Sequence, residues 1–426
     1  MLRKDPRRFL RLSVGLACLA VAPAVARAEP RTLREVLSYA REHAPAWDAR
    51  RAERERAHAQ ARVRGFWLPE APAVGAEWTN RERPGEGGSR DRVLEGDLTF
   101  EPFGQGIFRA RAATAVRDRE LAEVDAAARG WAAEVAWSWH DWLRWRWMRA
   151  RSANQADISR RLAHIVERRY QAGDASVLEV DLAHVEAAEG ERRILEIEQG
   201  LRQSEERLAA NIGWPAGARL PAPDSLELVP ALPDTTEVLS RGIAGRPELL
   251  VAGAALEEGS AETQLATSQL FPKALLGGFW GQEDGDDIEG LRVTLSVPFA
   301  GPELFERGAR AAEQRRLEAE HRAATRRAEA QIRTARDAVV LGFRQVALFQ
   351  DQVLPGIDKA RQRYQKAYEI GQVDLGTVLL SEQRYREAEQ SFAAALAAYI
   401  EALMQLEFET GLPVLSGYTL EEESER

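Results

Sequence analysis

The stretch Tyr170-Gln171-Ala172-Gly173-Asp174-Ala175-Ser176-Val177-Leu178-Glu179-Val180-Asp181-Leu182 is answered, 198 positions later, by Tyr368-Glu369-Ile370-Gly371-Gln372-Val373-Asp374-Leu375-Gly376-Thr377-Val378-Leu379-Leu380. Tyr170, Gly173, Val180 and Leu182 recur as Tyr368, Gly371, Val378 and Leu380. The same offset carries Leu208, Gly213 and Pro215 onto Leu406, Gly411 and Pro413. A register held that far marks an internal duplication, which constrains any fold. Upstream, Ala44-Pro45 answers Arg246-Pro247, Trp67-Leu68-Pro69 answers Leu270-Phe271-Pro272, and Thr99-Phe100-Glu101-Pro102-Phe103 answers Leu295-Ser296-Val297-Pro298-Phe299. The offset slips only between motifs, where loops absorb insertions. Each unit, 29–230 and 231–415, reads as helix, strand pair, long helix, turn and helix.

Residues 107–172 hold one glycine, Gly130, and no proline. That predicts an unbroken helix, roughly 100 Å long at about 1.5 Å per residue. Residues 303–370 repeat the length with Pro355-Gly356 inside, which predicts a kink or brief break. Gly173 and Gly371 supply the left-handed conformation that ends a helix, and Ser176 and Asp374, three residues on, cap the next. The runs 33–67 and 177–212 together match one rod, as two short helices stacked end to end beside it would. In the last helix, Phe392, Leu396, Tyr399, Leu403 and Leu406 follow coiled-coil spacing, so a soluble dimeric coiled coil is open at this point.

The strand pairs point elsewhere. Leu94, Gly96, Leu98 and Phe100 alternate with Val93, Glu95, Asp97 and Thr99, and Leu291, Val293, Leu295 and Val297 alternate with Arg292, Thr294 and Ser296. We place strands at about 71–80, 92–102, 273–282 and 289–298, and tip loops at 81–90 and 283–287. Apolar-out, polar-in strands of about ten residues suit a membrane β-barrel, with Glu95, Asp97, Thr99, Arg292, Thr294 and Ser296 toward its lumen. Four strands cannot close a barrel, and a free edge cannot face lipid. The chain would share its barrel with copies of itself.

The first 28 residues carry Arg3, Lys4, Arg7, Arg8 and Arg11, then an apolar run, then Ala26-Arg27-Ala28, the pattern of a cleaved signal peptide. Gly15 stands where a lipidation motif would have leucine, so Cys18, the only cysteine, is read as lost with the signal. Six basic residues and one acidic one leave too, taking the formal net charge from -9 to -14. An exported acidic chain is a poor binder of nucleic acid and has no disulfide or thiolate metal site. No stretch of the mature chain approaches 18 uninterrupted apolar residues, so a transmembrane helix is not expected. Residues 416–426 read as an acidic disordered tail.

Taken together, the duplicated units, the two Tyr-x-x-Gly turns and the Gly-x-Pro ends at Gly213 and Gly411 resemble the TolC-type outer-membrane factor family. The resemblance implies a mainly α fold with a small β part. It implies a homotrimer whose 12-stranded outer-membrane barrel continues into a 12-helix periplasmic tunnel. It also implies a periplasmic adaptor and an inner-membrane transporter as partners, outer-membrane lipid as surroundings, and no cofactor. The helix turns become a gate and docking surface: Tyr170, Gly173, Asp174, Ser176, Glu179, Tyr368, Gly371 and Asp374. Glu179 falls where the family's acidic gate residue often lies and Tyr368 matches its aromatic partner, while Val373 stands where some members are basic. A plainer reading makes Tyr170 and Tyr368 buried turn anchors. Within the family, Glu101-Pro102-Phe103-Gly104-Gln105-Gly106 and Val297-Pro298-Phe299 resemble the cobalt-zinc-cadmium heavy-metal efflux branch, although Ala300-Gly301-Pro302-Glu303 departs from its usual Asn-Arg and Gln-Gly.

Other features read as structural. Trp131, Trp137, Trp139, Trp142, Trp145 and Trp147 lie far down the first rod from the strands and suit helix packing. His43, His58, His140, His164, His184 and His321 lack zinc-site spacing and are expected at exposed helix positions. No nucleophile-elbow, phosphate-loop or His-Glu-x-x-His motif is present, so no catalysis is assigned. The rival reading, a periplasmic coiled-coil adaptor or scaffold, has no need of four alternating strands.

Overall fold

The computed structural model describes residues 32–83, 86–221, 229–234, 238–298 and 301–415. The expected signal peptide and acidic tail lie outside the described residues, as do Cys18 and Phe299. The first unit runs α1 (Leu33–His43), α2 (Pro45–Arg64), β1 (Ala73–Arg83), β2 (Glu86–Phe100), α3 (Gln105–Gln171) and α4 (Val177–Ile212). The second runs α5 (Val238–Gly245), α6 (Pro247–Ser268), β3 (Lys273–Glu283), β4 (Asp286–Ser296), α7 (Glu303–Leu348), a π turn (Phe349–Val353), α8 (Leu354–Glu369) and α9 (Leu375–Thr410). The two runs follow one element order, except that the π turn divides the long helix of the second.

The first rod is a single α-helix of 67 residues. It begins after Gly104 at φ 82° and stops before Gly173 at φ 84°, since only glycine holds the left-handed conformation without strain. Its middle carries the core: Trp131, Val135, Trp139 and Trp142 pack with Val36, Leu37 and Trp47 from α1 and α2 and with Leu208 and Ile212 from α4. The first two helices and α4 therefore meet end to end on α3, at Gly213, where a Cβ would collide with the His43 carbonyl. The tryptophans serve this packing, as their distance from the strands requires.

The second rod keeps the length but not the continuity. Its helix passes through the π turn immediately before Pro355, where the Leu354 N–H bonds to the Phe349 carbonyl. The extra residue per turn accommodates a proline that cannot donate its own hydrogen bond. Above it, Ile332, Val339 and Val346 of α7 pack on Phe392, Leu396, Tyr399, Leu403 and Leu406 of α9, the seam that the spacing predicts. By composition alone, an 18-residue window of α9 is apolar enough to cross a membrane. Half of that window is buried inside the fold, as a core seam requires.

The strands form one antiparallel sheet in the order β1-β2-β3-β4. They run further than the sequence suggests. Residues 81–90 and 283–287, expected as loops, are largely strand: β1 reaches Arg83, β2 starts at Glu86, and β3 and β4 are joined through Asp284-Gly285, both at positive φ. A two-residue turn of that kind matches the natural twist of a hairpin and lets charged residues stay in register.

Helix packing follows the same order as the sheet. Near the strands it runs α2, α3, α6, α7, and toward the turns α4, α3, α9, α8. Each row ends in flanks with no further helix of this chain against them among the described residues.

Candidate functional site

The sheet has two chemically distinct faces. Directly opposed residues in a sheet project to the same side, so the pairings Asp97↔Gly277↔Arg292 and Thr99↔Leu275↔Thr294 gather one face. That face holds Glu95, Asp97, Thr99, Arg292, Thr294 and Ser296 together. Arg292 reaches Glu95 at 3.4 Å, and the Thr99 hydroxyl donates to Glu70 at 3.3 Å. Near the hairpin tips, Arg81 bridges Asp91 at 3.1 Å and Glu283 at 2.9 Å. The opposite face is apolar and bare: Val74 is 79% exposed, Trp78 74%, Val293 70% and Leu291 91%, with Leu94, Leu276, Trp280 and Leu295 beside them. No other strand covers β1 or β4 among the described residues.

At the far end of the rods, the two Tyr-x-x-Gly turns come together. Ser176 accepts from the Glu179 N–H at 3.3 Å while the Glu179 carboxylate accepts from the Ser176 N–H at 2.8 Å, a reciprocal cap. Asp374 caps α9 through the Thr377 N–H at 2.8 Å, and that bond holds its carboxyl below the ordinary value. Tyr368 is buried with Leu162, Val166, Leu375 and Val378, so the two turns share one apolar cluster. Tyr170 is 46% exposed, so the anchor reading fits Tyr368 and fails for Tyr170.

The residue that joins the turns was not singled out from the sequence. Arg169 donates to the Tyr368 carbonyl at 2.8 Å and to the Asp174 carbonyl at 3.1 Å, and its guanidinium lies 4.5 Å from the centroid of the Tyr368 ring. Its signal was the repeat itself, which puts both turns at one level. Its counterpart at the repeat offset is Ala367, so the clamp is one-sided and leaves no trace in the repeated motif.

Higher up, a buried polar group links α3, α8 and α9. Arg361 donates to Gln155 at 2.8 Å and to Asp358 at 2.6 Å, and lies 3.8 Å from Glu382. Glu382, 1% exposed, also accepts from Gln155 and from Gln365 at 2.6 Å. At the sheet end, Gln105 donates to the Phe271 and Pro272 carbonyls and ties the start of α3 to the base of β3.

The histidines need correction: His58, His164 and His184 are exposed as expected, whereas His43 and His321 are half-buried. His140 is buried in α3, its Nδ1 without a hydrogen-bond partner, and burial pulls it down to about 4. Helix periodicity alone could not place it, because the tryptophan-rich rod is apolar around most of its circumference there. Among the described residues, no group of three or more His, Cys, Asp or Glu side chains could hold a metal ion.

The four-stranded antiparallel sheet with a bare apolar face, continued into paired rods of helix, is a fold shared with solved outer-membrane proteins. Three solved structures show the likeness. CusC matches over 90% of this chain and 92% of its own with a TM-score of 0.76 at 16% identity. The outer membrane protein VceC from Vibrio cholerae matches over 89% and 96% with a TM-score of 0.73 at 18% identity. The open state of the Neisseria gonorrhoeae outer membrane channel MtrE matches over 91% and 90% with a TM-score of 0.72 at 19% identity. At such identities the likeness is one of fold. No family model and no curated protein matches the sequence.

Proposed function

We propose that this chain is the outer-membrane exit duct of a tripartite efflux system. It is a homotrimer that passes solutes from an inner-membrane transporter and periplasmic adaptor to the exterior, without chemistry of its own. The observation that carries the reading is the sheet. Its apolar face would cost heavily in water, and its unpaired β1 and β4 edges need partners if that face lies in lipid. Three copies joined edge to edge supply those partners, and the same operation sets α7 beside the next copy's α2 and α8 beside its α4.

Aromatic placement supports the membrane reading. Phe66, Trp67, Phe103, Phe271 and Phe305 are exposed where strands give way to helices, and Trp78 and Trp280 are exposed toward the hairpin tips. At about 3.4 Å per residue and a tilt of about 40°, the strand from Phe271 to Trp280 climbs roughly 23 Å, close to the roughly 25 Å between aromatic girdles of outer-membrane barrels. The polar face then lines the lumen. The turns, with Tyr170, Gly173, Asp174, Ser176 and Glu179 beside Tyr368, Gly371 and Asp374, form the periplasmic gate that the adaptor meets. Heavy-metal cations are the cargo class favoured by the Glu101 to Gly106 motif.

The deciding experiment is the oligomeric state of the mature chain in detergent together with its conductance in a planar bilayer. A trimer with rare, cation-preferring openings is expected. A monomer or dimer that stays soluble without detergent and never conducts would replace this reading with the periplasmic scaffold.

A further inference from the structure

The helices α4 and α9 both pack along α3, yet they stand apart between residues 190–197 and 386–390. The gap is a hollow of about 260 Å³ over α3. Its floor is apolar, with Trp145 and Met148 on α3 and Ile197 on the α4 wall. Gly190 seated against Ala156, and Gly200 under the Trp145 ring where a Cβ has no room, let α4 lie close on α3 to either side. The hollow is therefore held open by well-packed neighbours.

Its rim carries guanidinium groups that share carboxylate partners. Arg193 at 3.5 Å and Arg386 at 2.5 Å share the single carboxylate of Glu186. Those three side chains are between 16% and 20% exposed, so water screens them only in part. Burial and the Arg386 charge hold the Arg193 guanidinium below its ordinary value. Across the hollow, Arg151 lies 3.9 Å from Glu389, whose carboxyl is raised from its ordinary value by burial. The other acids beside the hollow, Glu189 and Glu196, are both engaged by Arg192.

We propose that this hollow binds a small aromatic acid, its ring on Trp145, Met148 and Ile197 and its carboxylate or sulfonate between Arg193 and Arg386. Such an anion gives each guanidinium its own charge-assisted partner, while the ring covers apolar surface that is now only partly buried. A concave apolar floor with a few convergent charged groups is the usual makeup of a small-molecule site. Every lining residue belongs to one protomer.

The test is calorimetric titration of 2-naphthoate into the full mature chain in detergent, against protein-free detergent and against uncharged 2-naphthalenemethanol. Saturable binding is expected, with at least about a tenfold preference for the acid, the worth of one charge-assisted contact. Arg386→Gln should abolish that preference. Gln390→Glu, which adds a like charge to the wall without touching Glu186, should weaken binding of the acid alone. No saturable heat above the detergent blank, or an unchanged preference in both variants, overturns the proposal. If Arg386→Gln fails to assemble, Gln390→Glu decides by itself. Conductance depends on the strands, so the duct reading and this site can fail separately.

Discussion

Toward the turns, α3 buries Leu162, Ala163 and Val166, whereas α8, its partner in the second repeat, buries only Arg361 and Tyr368. One arm is held by an apolar stripe on an unbroken helix. The other hangs below a π turn with no buried residue of its own and is fixed by the buried Tyr368 ring and two polar contacts, the Arg361–Glu382–Gln155 group and the Arg169 clamp on Tyr368. Apolar packing loses stability in proportion to the contact removed, whereas a buried charge left without its partner costs several kcal/mol at once, about 3–5. Duplication has thus kept the turn and cap chemistry of both units while making one arm all-or-none in its attachment.

The sharpest way to break that contrast is Arg361→Ala. It leaves Glu382 buried without its cation and should cost about 3–5 kcal/mol in the local stability of α8. Hydrogen exchange should show residues 354–369 opening while 156–170 stay protected. Arg361→Leu combined with Glu382→Leu should restore much of the protection, because apolar side chains of similar volume remove the unpaired charge. Equal loosening of both arms in the single variant would mean the repeats are held alike after all.

The sheet halves should behave alike where the helix halves differ. Leu98→Arg in the first unit and Val293→Arg in the second each put a charge on the apolar face, for about 2–4 kcal/mol if that face lies in lipid. Asp97→Asn and Thr294→Ser, on the polar face, should assemble normally. Membrane insertion of the four variants measures this, and tolerance of arginine on both faces would remove the sheet from lipid.

A third difference titrates. His140 has its counterpart, at the repeat offset, in the exposed Ala338. The folded-state value of His140, about 4, lies below the ordinary 6.5. The unfolded chain therefore binds the extra proton first. Stability from the neutral imidazole is fully present above about pH 6.5 and is lost as pH falls toward 4, by at most roughly 3 kcal/mol. Thermal unfolding of the wild type should decline through that window, and His140→Leu should flatten the decline. An unchanged slope would assign it to carboxylates elsewhere.

Which of these features could be read beforehand follows from their range. Repeat offsets, the positive-φ glycines, the Ser176 and Asp374 caps and strand alternation are local, set by neighbours within a few residues. Gln155 with Arg361, Arg169 with Tyr368 and the burial of His140 depend on partners roughly two hundred residues away or on which side of a rod faces inward. The hairpin tips failed for another reason: charge and glycine between 81 and 90 look like a loop, yet cross-strand pairs such as Arg81 with Asp91 satisfy those charges within the sheet. The sequence carries the charges but not their partners.

The smallest effect separates the two caps. Ser176→Ala should cost α4 about 1 kcal/mol, as loss of a helix cap does, and the serine hydroxyl keeps accepting from Glu179 at any moderate pH. Asp374 caps α9 with a carboxylate whose titration is lowered by the Thr377 N–H. A depressed carboxyl stabilises the fold above its unfolded value, near the ordinary 3.8, and that contribution disappears as pH falls through the folded value. Protection of the Thr377 amide, relative to its intrinsic exchange rate, should therefore decline as pH falls below the ordinary 3.8, while that of Glu179 declines less, the hydroxyl half of its cap being insensitive to acid. Asp374→Asn should remove the decline and keep the cap, since an amide oxygen accepts the same bond. If both amides lose protection in parallel, the turns open as one body and the difference between the repeats ends above them, at the π turn and Arg361.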